Sequence, residues 1–447
     1  MKKLIKGGEI INEGRRLKKD ILIEADKIKK IGIAGEDIVS DNDTTIIDAS
    51  GMLVIPGIID DQVHFRDPGL THKADIHSET RAAVAGGVTS IMEMPNTKPQ
   101  TITIEALKEK QVRAMHSSLC NYSFYLGATN DNIDEIKKLD PETTCGVKVF
   151  MGASTGNMLV DKIDSLRKIF RESPILVACH CEDEDTVKSN LEKYISRYGD
   201  NIPVEHHPDI RSREACFKSS SLAVKLAKEY NTRLHILHLS TKDEMALFEN
   251  SSRAEDKLIS AEACVHHLWF DNRDYAEKGT LIKWNPAIKT AGDRKALIES
   301  VVNDKIDIIA TDHAPHTMEE KNNSYTSAPS GGPLVQHSLA AMLELSKQGL
   351  ISIEKIIEKM CHNPALLFGI KDRGFIREGY KADICIVNPD SKWTVAKDNI
   401  LYKCGWSPFE GTSFTTRVEK TIINGETAYD NGRINDNSRG ELLIFNR

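Results

Sequence analysis

A chain of 447 residues is long enough for one large domain and a second, smaller one. It is 40% hydrophobic and 28% charged with a formal net charge of −7, which is ordinary globular composition, and its interspersed charges leave no electrostatic footprint for nucleic acid. No apolar run reaches membrane-spanning length, the opening MKKLIKGGEI lacks a signal-peptide core, and nine scattered cysteines read as reduced thiols of a cytoplasmic protein.

Residues 1–55 alternate apolar and polar positions, as in DILIEADKIKKIGI and TTIIDASGMLVIPG, and predict short strands joined by polar turns. Residues 366–447 read the same way in GFIREGYKADICIVNPD and TIINGETAYDNGRI. Two strand-rich ends around a long middle predict one small β domain built from both termini. Across residues 56–365 short apolar runs alternate with helical patterns. The runs are GIIDDQVHF, VTSIMEMPN, NYSFYLGAT, GVKVFMG, PILVACHCE, RLHILHLS, KLISAEACV and KIDIIATDH. Helices are predicted in TIEALKEKQVRAMHSS, DEDTVKSNLEKYISRYG, SSSLAVKLAKEY and DRKALIESVVND. Eight strand–helix units predict an α/β fold, a (β/α)8 TIM barrel with parallel, nearly continuously apolar strands.

In such barrels the chemistry sits at the C-terminal ends of the strands. Those ends carry His64 and Arg66 (first run), Asn96 (second), Lys148 (fourth), His180 (fifth), His238 (sixth) and Asp312 (eighth), with Asn285 after the seventh. In the first run, alternation puts residues 62, 64 and 66 on one face. A metal enzyme would often place His-x-His there, but residue 62 is Gln. His64, His180 and His238 are ligands of a kind that suits Zn²⁺, and three at the ends of different strands outweigh the bland reading of each. His235 is the other candidate in HILHLST. Three residues apart on a strand, it and His238 face opposite ways, and His238 lies nearer the end. The thiols of Cys179 and Cys181 alternate away from His180, which makes them core residues rather than ligands. Asp312 can bind metal and move a proton. Lys148 lies inside an apolar strand, where a free ammonium is costly and would repel metal; its carbamate, formed with CO2, would be an anionic bridge.

Together, HFRDPG, EMPNT, VKVFMG, ACHCED, HLST, WNP and ATDHAPH resemble the amidohydrolase superfamily and, within it, the dihydroorotases, over nearly the whole chain. The resemblance implies a distorted barrel holding two Zn²⁺ ions bridged by carbamylated Lys148. One ion would use His64, Lys148 and Asp312, and the other Lys148, His180 and His238. It implies hydrolysis of L-dihydroorotate to N-carbamoyl-L-aspartate in pyrimidine biosynthesis, reversibly, with Asp312 as the proton carrier. Arg66, Asn96 and His316 would hold the substrate carboxylate, and Asn285 would also contact substrate. An arginine usual after NP is replaced by Lys289, and the segments 152–157 (with Ser154 and Thr155) and 328–333 stand where substrate loops are expected. A homodimer is the default for a soluble enzyme.

Gln62 stands where these families carry His. Glutamine is a poorer Zn²⁺ ligand than imidazole. It leaves three outcomes open: a two-metal site with a weak ligand or water at that place, a one-metal site, or a non-catalytic relative that partners an enzyme such as aspartate transcarbamoylase. Retention of the other site residues argues against the last. Hydantoinases, dihydropyrimidinases and allantoinases are the rival activities. Arg66 discriminates against the first two because their substrates lack the carboxylate it would bind, and against allantoinases because the resemblance implies a non-cationic residue at that position in them.

Overall fold

The computed structural model describes residues 2–38, 41–152, 158–251 and 253–447. Each of the eight apolar runs forms a strand: β1 (Ile58–Val63), β2 (Val88–Glu93), β3 (Asn121–Phe124, continued by Leu126–Gly127), β4 (Val147–Phe150), β5 (Val177–His180), β6 (Leu234–Ile236), β7 (Ile259–Cys264) and β8 (Ile308–Ala310). Nearly every residue in them is buried, as expected for strands covered on both faces. All neighbours pair in parallel, from Val63↔Glu93 round to Cys264↔Ala310. The ring closes where Val63 bridges His313 and the His64 N–H donates to the His313 carbonyl at 2.7 Å. The distortion is at β3, which is interrupted at Tyr125.

The helices between the strands are fixed by their caps. Thr103 accepts from the Ala106 N–H at the start of helix Ile104–Ser117, and Ser212 does the same for Ala215 in helix Arg213–Tyr230. Thr290 and Asp293 form a reciprocal capping box on helix Ala291–Val302. Inside the barrel, Ile59, Met92, Tyr125, Ala178, Leu237 and Ile308 form a packed plug. Between strands and helices lies the larger core, which holds Cys179 and Cys181.

Both chain ends meet in one seven-stranded sheet. Ile384–Asn388 pairs antiparallel with Leu53–Pro56 on one side and with Arg417–Ile423 on the other, and Leu53–Pro56 also pairs with Glu9–Asn12. A second sheet is built from N-terminal strands alone, with Lys2–Lys6 at its centre. Only Gly57 separates Leu53–Pro56 from β1. A Cβ at Gly57 would lie 2.1 Å from Thr89 Oγ1, so the crossing from sheet to barrel needs glycine. Gly57→Ala should cost about 1–3 kcal/mol through overpacking, read as a lower urea midpoint with an unchanged slope.

Candidate active site

A cavity of about 270 Å³ opens at the C-terminal ends of the barrel strands. It is lined by His64, Lys148, His180, His238 and Asp312, and also by Gln62, Arg66, Asn96, Asn285 and His316. All nine site residues expected from the sequence therefore converge on one place, together with Gln62. Three of them have left-handed backbone: Arg66 (φ 67°), His238 (φ 41°) and Asp312 (φ 47°). Such conformations in residues other than glycine cost about 1–3 kcal/mol each and cluster at working sites. A roomier surface groove of about 760 Å³, near Lys18 and Met52, gathers no comparable set of groups.

The histidines are held in defined tautomers. His64 Nδ1 lies 2.7 Å from Asn96 Oδ1, a pure acceptor, so the proton sits on Nδ1 and the Nε2 lone pair faces the cavity. That lone pair points at Asp312 Oδ1, 3.0 Å away. His180 Nε2 donates to Glu182 Oε2 at 3.0 Å, which leaves its Nδ1 lone pair facing His238 Nε2 at 3.0 Å. Burial lowers the pKa of all three, so they are neutral near pH 7. Burial raises the Glu182 carboxyl, but Arg211 and His180 outweigh it and hold the group at about 2. Carboxylate, imidazole and an open lone pair in sequence is the support that metal-binding histidines use.

Lys148 is 1% exposed and lies over the ring of Phe150, 4.6 Å from its centre. Burial lowers its amine to about 8 against the pull of Asp312. Burial raises Asp312 to about 7 against Lys148 and His180. An imidazole nitrogen 3.0 Å from a carboxylate oxygen, with a second imidazole pair beside it, is a donor set that a cation would complete. The residues present therefore fit a divalent metal. Gln62 is part of this set: its Nε2 donates to Asp312 Oδ1 at 3.2 Å and its Oε1 accepts from the Cys264 thiol at 3.8 Å. Gln62→His should tighten Zn²⁺ binding about 10–100-fold, read by competition with a chromogenic chelator.

The rest of the cavity is a set of polar groups for an anionic, amide-bearing molecule. The buried Arg66 guanidinium donates through Nε to Pro315 O at 3.1 Å and meets His316 Nε2 through Nη2 at 3.1 Å, which leaves other N–H groups toward the cavity. His316 is held in turn by Lys73 Nζ at 3.0 Å and Ser330 O at 3.1 Å. Asn285 Oδ1 is buried without a hydrogen-bond partner. Pro329, Ser330 and Gly331 of the 328–333 segment line the wall, whereas Lys289 turns away to Ala287 O. Ser154 and Thr155 lie outside the described residues.

Alternation does not account for His235 and His238. β6 ends at Ile236 and the chain turns at His238, so both side chains face the barrel interior, His238 in the cavity and His235 beneath it against Asp61. Sequence reasoning missed Glu182, although a carboxylate two residues after a strand-end histidine is the signal. It also missed Lys73 and Glu320, which pair at 2.7 Å beside His316.

The family described as "Amidohydrolase family" matches residues 53–428. The dihydroorotase of Pyrococcus horikoshii is 31% identical, covering 99% of this chain and 95% of its own. That of Pyrococcus furiosus is 33% identical over 98% and 95%, and that of Clostridioides difficile 34% over 96% and 99%. Among solved structures, an L-hydantoinase from Arthrobacter aurescens matches with a TM-score of 0.93 at 26% identity, covering 99% of both chains.

Proposed function

The chain belongs to the amidohydrolase family, and from that premise we propose that it is a zinc-dependent dihydroorotase, converting L-dihydroorotate and N-carbamoyl-L-aspartate into one another. Its curated relatives over nearly the full length are dihydroorotases. The observation that carries the substrate choice is the buried Arg66 guanidinium facing the same cavity as the His64–Asp312 pair. A guanidinium there matches a carboxylate on the ring being opened.

In this reading His64, Lys148 and Asp312 would hold one Zn²⁺ and Lys148, His180 and His238 the other, with Lys148 as its carbamate. Bound Zn²⁺ would acidify water and polarise the ring carbonyl. Arg66, the Asn96 amide and His316 hold the substrate carboxylate. Asn96 has its carbonyl oxygen committed to His64, so only its NH2 is free for this. The unpartnered Asn285 Oδ1 accepts a ring N–H. Water oxygen bonds to the ring carbonyl carbon and the carbon–nitrogen bond breaks. Asp312, held near neutrality by burial, takes the water proton and passes it to the departing nitrogen. Ring closure in pyrimidine synthesis is the same path reversed. The working form in this reading is a cytoplasmic homodimer, which light scattering on the purified protein tests.

Hydrolysis of L-dihydroorotate by zinc-supplied protein, followed as ultraviolet loss of the ring amide, is the expected result. The likeness to the L-hydantoinase keeps a second reading in view, action on a neutral cyclic ureide. Preference for hydantoin over dihydroorotate would select it. Refusal of dihydroorotate, hydantoin and allantoin by zinc-loaded protein would instead indicate a partner-binding relative without activity. Asp312→Asn should retain substrate affinity and lower kcat by about 100-fold or more, measured by steady-state kinetics.

A further inference from the structure

Beneath the cavity, three strands bring together a second set of ligating groups. Asp61 on β1, His235 on β6 and Glu262 on β7 have side chains that are 0% exposed. One ligand atom from each lies within 4.8 Å of the other two. His235 Nε2 is 3.2 Å from Asp61 Oδ2 and 3.7 Å from Glu262 Oε2. Yet none of these three atoms, nor Asp61 Oδ1, has a hydrogen-bond partner. Four unpartnered polar atoms in a dry interior are costly unless something fills the space between them.

The surroundings of His235 define what a ligand would replace. The Ser260 hydroxyl donates to Leu234 O at 3.2 Å, so it receives a proton from His235 Nδ1 at 2.8 Å. Nε2 then faces two carboxylates, Asp61 at 3.2 Å and Glu262 at 3.7 Å, which against burial raise the imidazole to about 9. That single proton is shared between two carboxylates, and neither contact has hydrogen-bond geometry. A divalent ion would be bound by all three and would cancel both carboxylates.

We propose that Asp61, His235 and Glu262 form a separate, buried site for a divalent first-row metal ion of the Zn²⁺ class, distinct from the cavity. Its donor set, one imidazole and two carboxylates, belongs to that class. It ties β1, β6 and β7 together under the active site. Glu262 carries the link upward, since its Oε1 accepts the His238 N–H at 2.8 Å and the Cys264 thiol at 3.3 Å. Because the site is sealed, the ion enters as the chain folds and then exchanges slowly.

The test uses the full chain produced with Zn²⁺ in the medium. Crystals of the unmutated protein are measured above and below the zinc absorption edge. An anomalous peak among Asp61, His235 and Glu262 is expected, in addition to any in the cavity. After a chelator has stripped the cavity, about one equivalent of zinc per chain should remain, and Asp61→Asn should lose that equivalent and melt several degrees lower. No peak at the cluster when the cavity shows one would overturn the proposal, as would an equal residual equivalent in Asp61→Asn. The crystal measurement needs no variant, so poor folding of Asp61→Asn leaves it decisive. A peak without dihydroorotate turnover would sink the functional reading alone, and turnover without a peak would sink only this site.

Discussion

Replacing Lys148 with alanine is expected to lower L-dihydroorotate turnover by about 1,000-fold or more, because in the proposed mechanism it is the shared ligand on which metal activation of water would depend. The side chain is fully enclosed in β4, among imidazoles and Asp312, where a free ammonium is opposed both by burial and by any metal. Burial has already lowered its amine to about 8, so a sizeable share is uncharged at physiological pH. An uncharged amine attacks the carbon of CO2, loses a proton and becomes a carbamate, turning a cation into an anion at the centre of the site. Zinc content should fall together with kcat in Lys148→Ala. Lys148→Met, which keeps the bulk, should fail in the same way, separating charge from packing. Full metal content and turnover in either variant would remove the carbamate from the mechanism. Well-resolved density for an unmodified amine in the zinc-loaded protein would do so as well.

Arg66→Ala should raise KM for L-dihydroorotate by about 100–1,000-fold, the equivalent of one lost charge-assisted bidentate contact, with zinc content unchanged. The guanidinium is buried, already anchored by Pro315 and His316, and loses little freedom on binding a carboxylate. If it acts in binding alone, kcat should change far less than KM. Any activity on a neutral ureide such as hydantoin should be untouched or improved, since that substrate offers Arg66 no partner. Unchanged dihydroorotate affinity would transfer the carboxylate to other groups, with Lys73 beside His316 the nearest cation to examine.

The barrel was legible in the sequence because its strands are buried on both faces. GVKVFMG and KIDIIATDH have little choice but to be interior strands, and the helices announce themselves through caps such as Thr103 and Thr290. What a one-dimensional pattern does not hold is where a strand stops. The break at Tyr125 and the turn at His238 are set by closure of the ring, and the turn defeated the alternation argument for His235. The expected site residues converge because most sit at or just beyond strand ends, a position that apolar runs reveal directly; Lys148 lies within β4, and Asn285 and His316 come from the loops after β7 and β8. Their supports are harder to read: Glu182 is marked only by its spacing from His180, its partner Arg211 comes from a different element, and Asn96 turns its oxygen to His64 only once two strands lie side by side. A register irregularity in β1 between Asp60 and Val63 helps to admit both Asp61 and Gln62 to the interior.

The seven-stranded sheet has a consequence for how the protein is made. Leu53–Pro56 leads through one glycine into the strand that carries Gln62 and on to His64, but its antiparallel neighbour Ile384–Asn388 is translated only after the entire barrel. On the ribosome, the strand that leads into the first wall of the active site therefore waits with one edge unpaired until the barrel has been translated. A premature stop codon after the barrel would leave every residue that lines the cavity encoded, and the nascent chain would still lack the strand that pairs with Leu53–Pro56, the lead into the first of them.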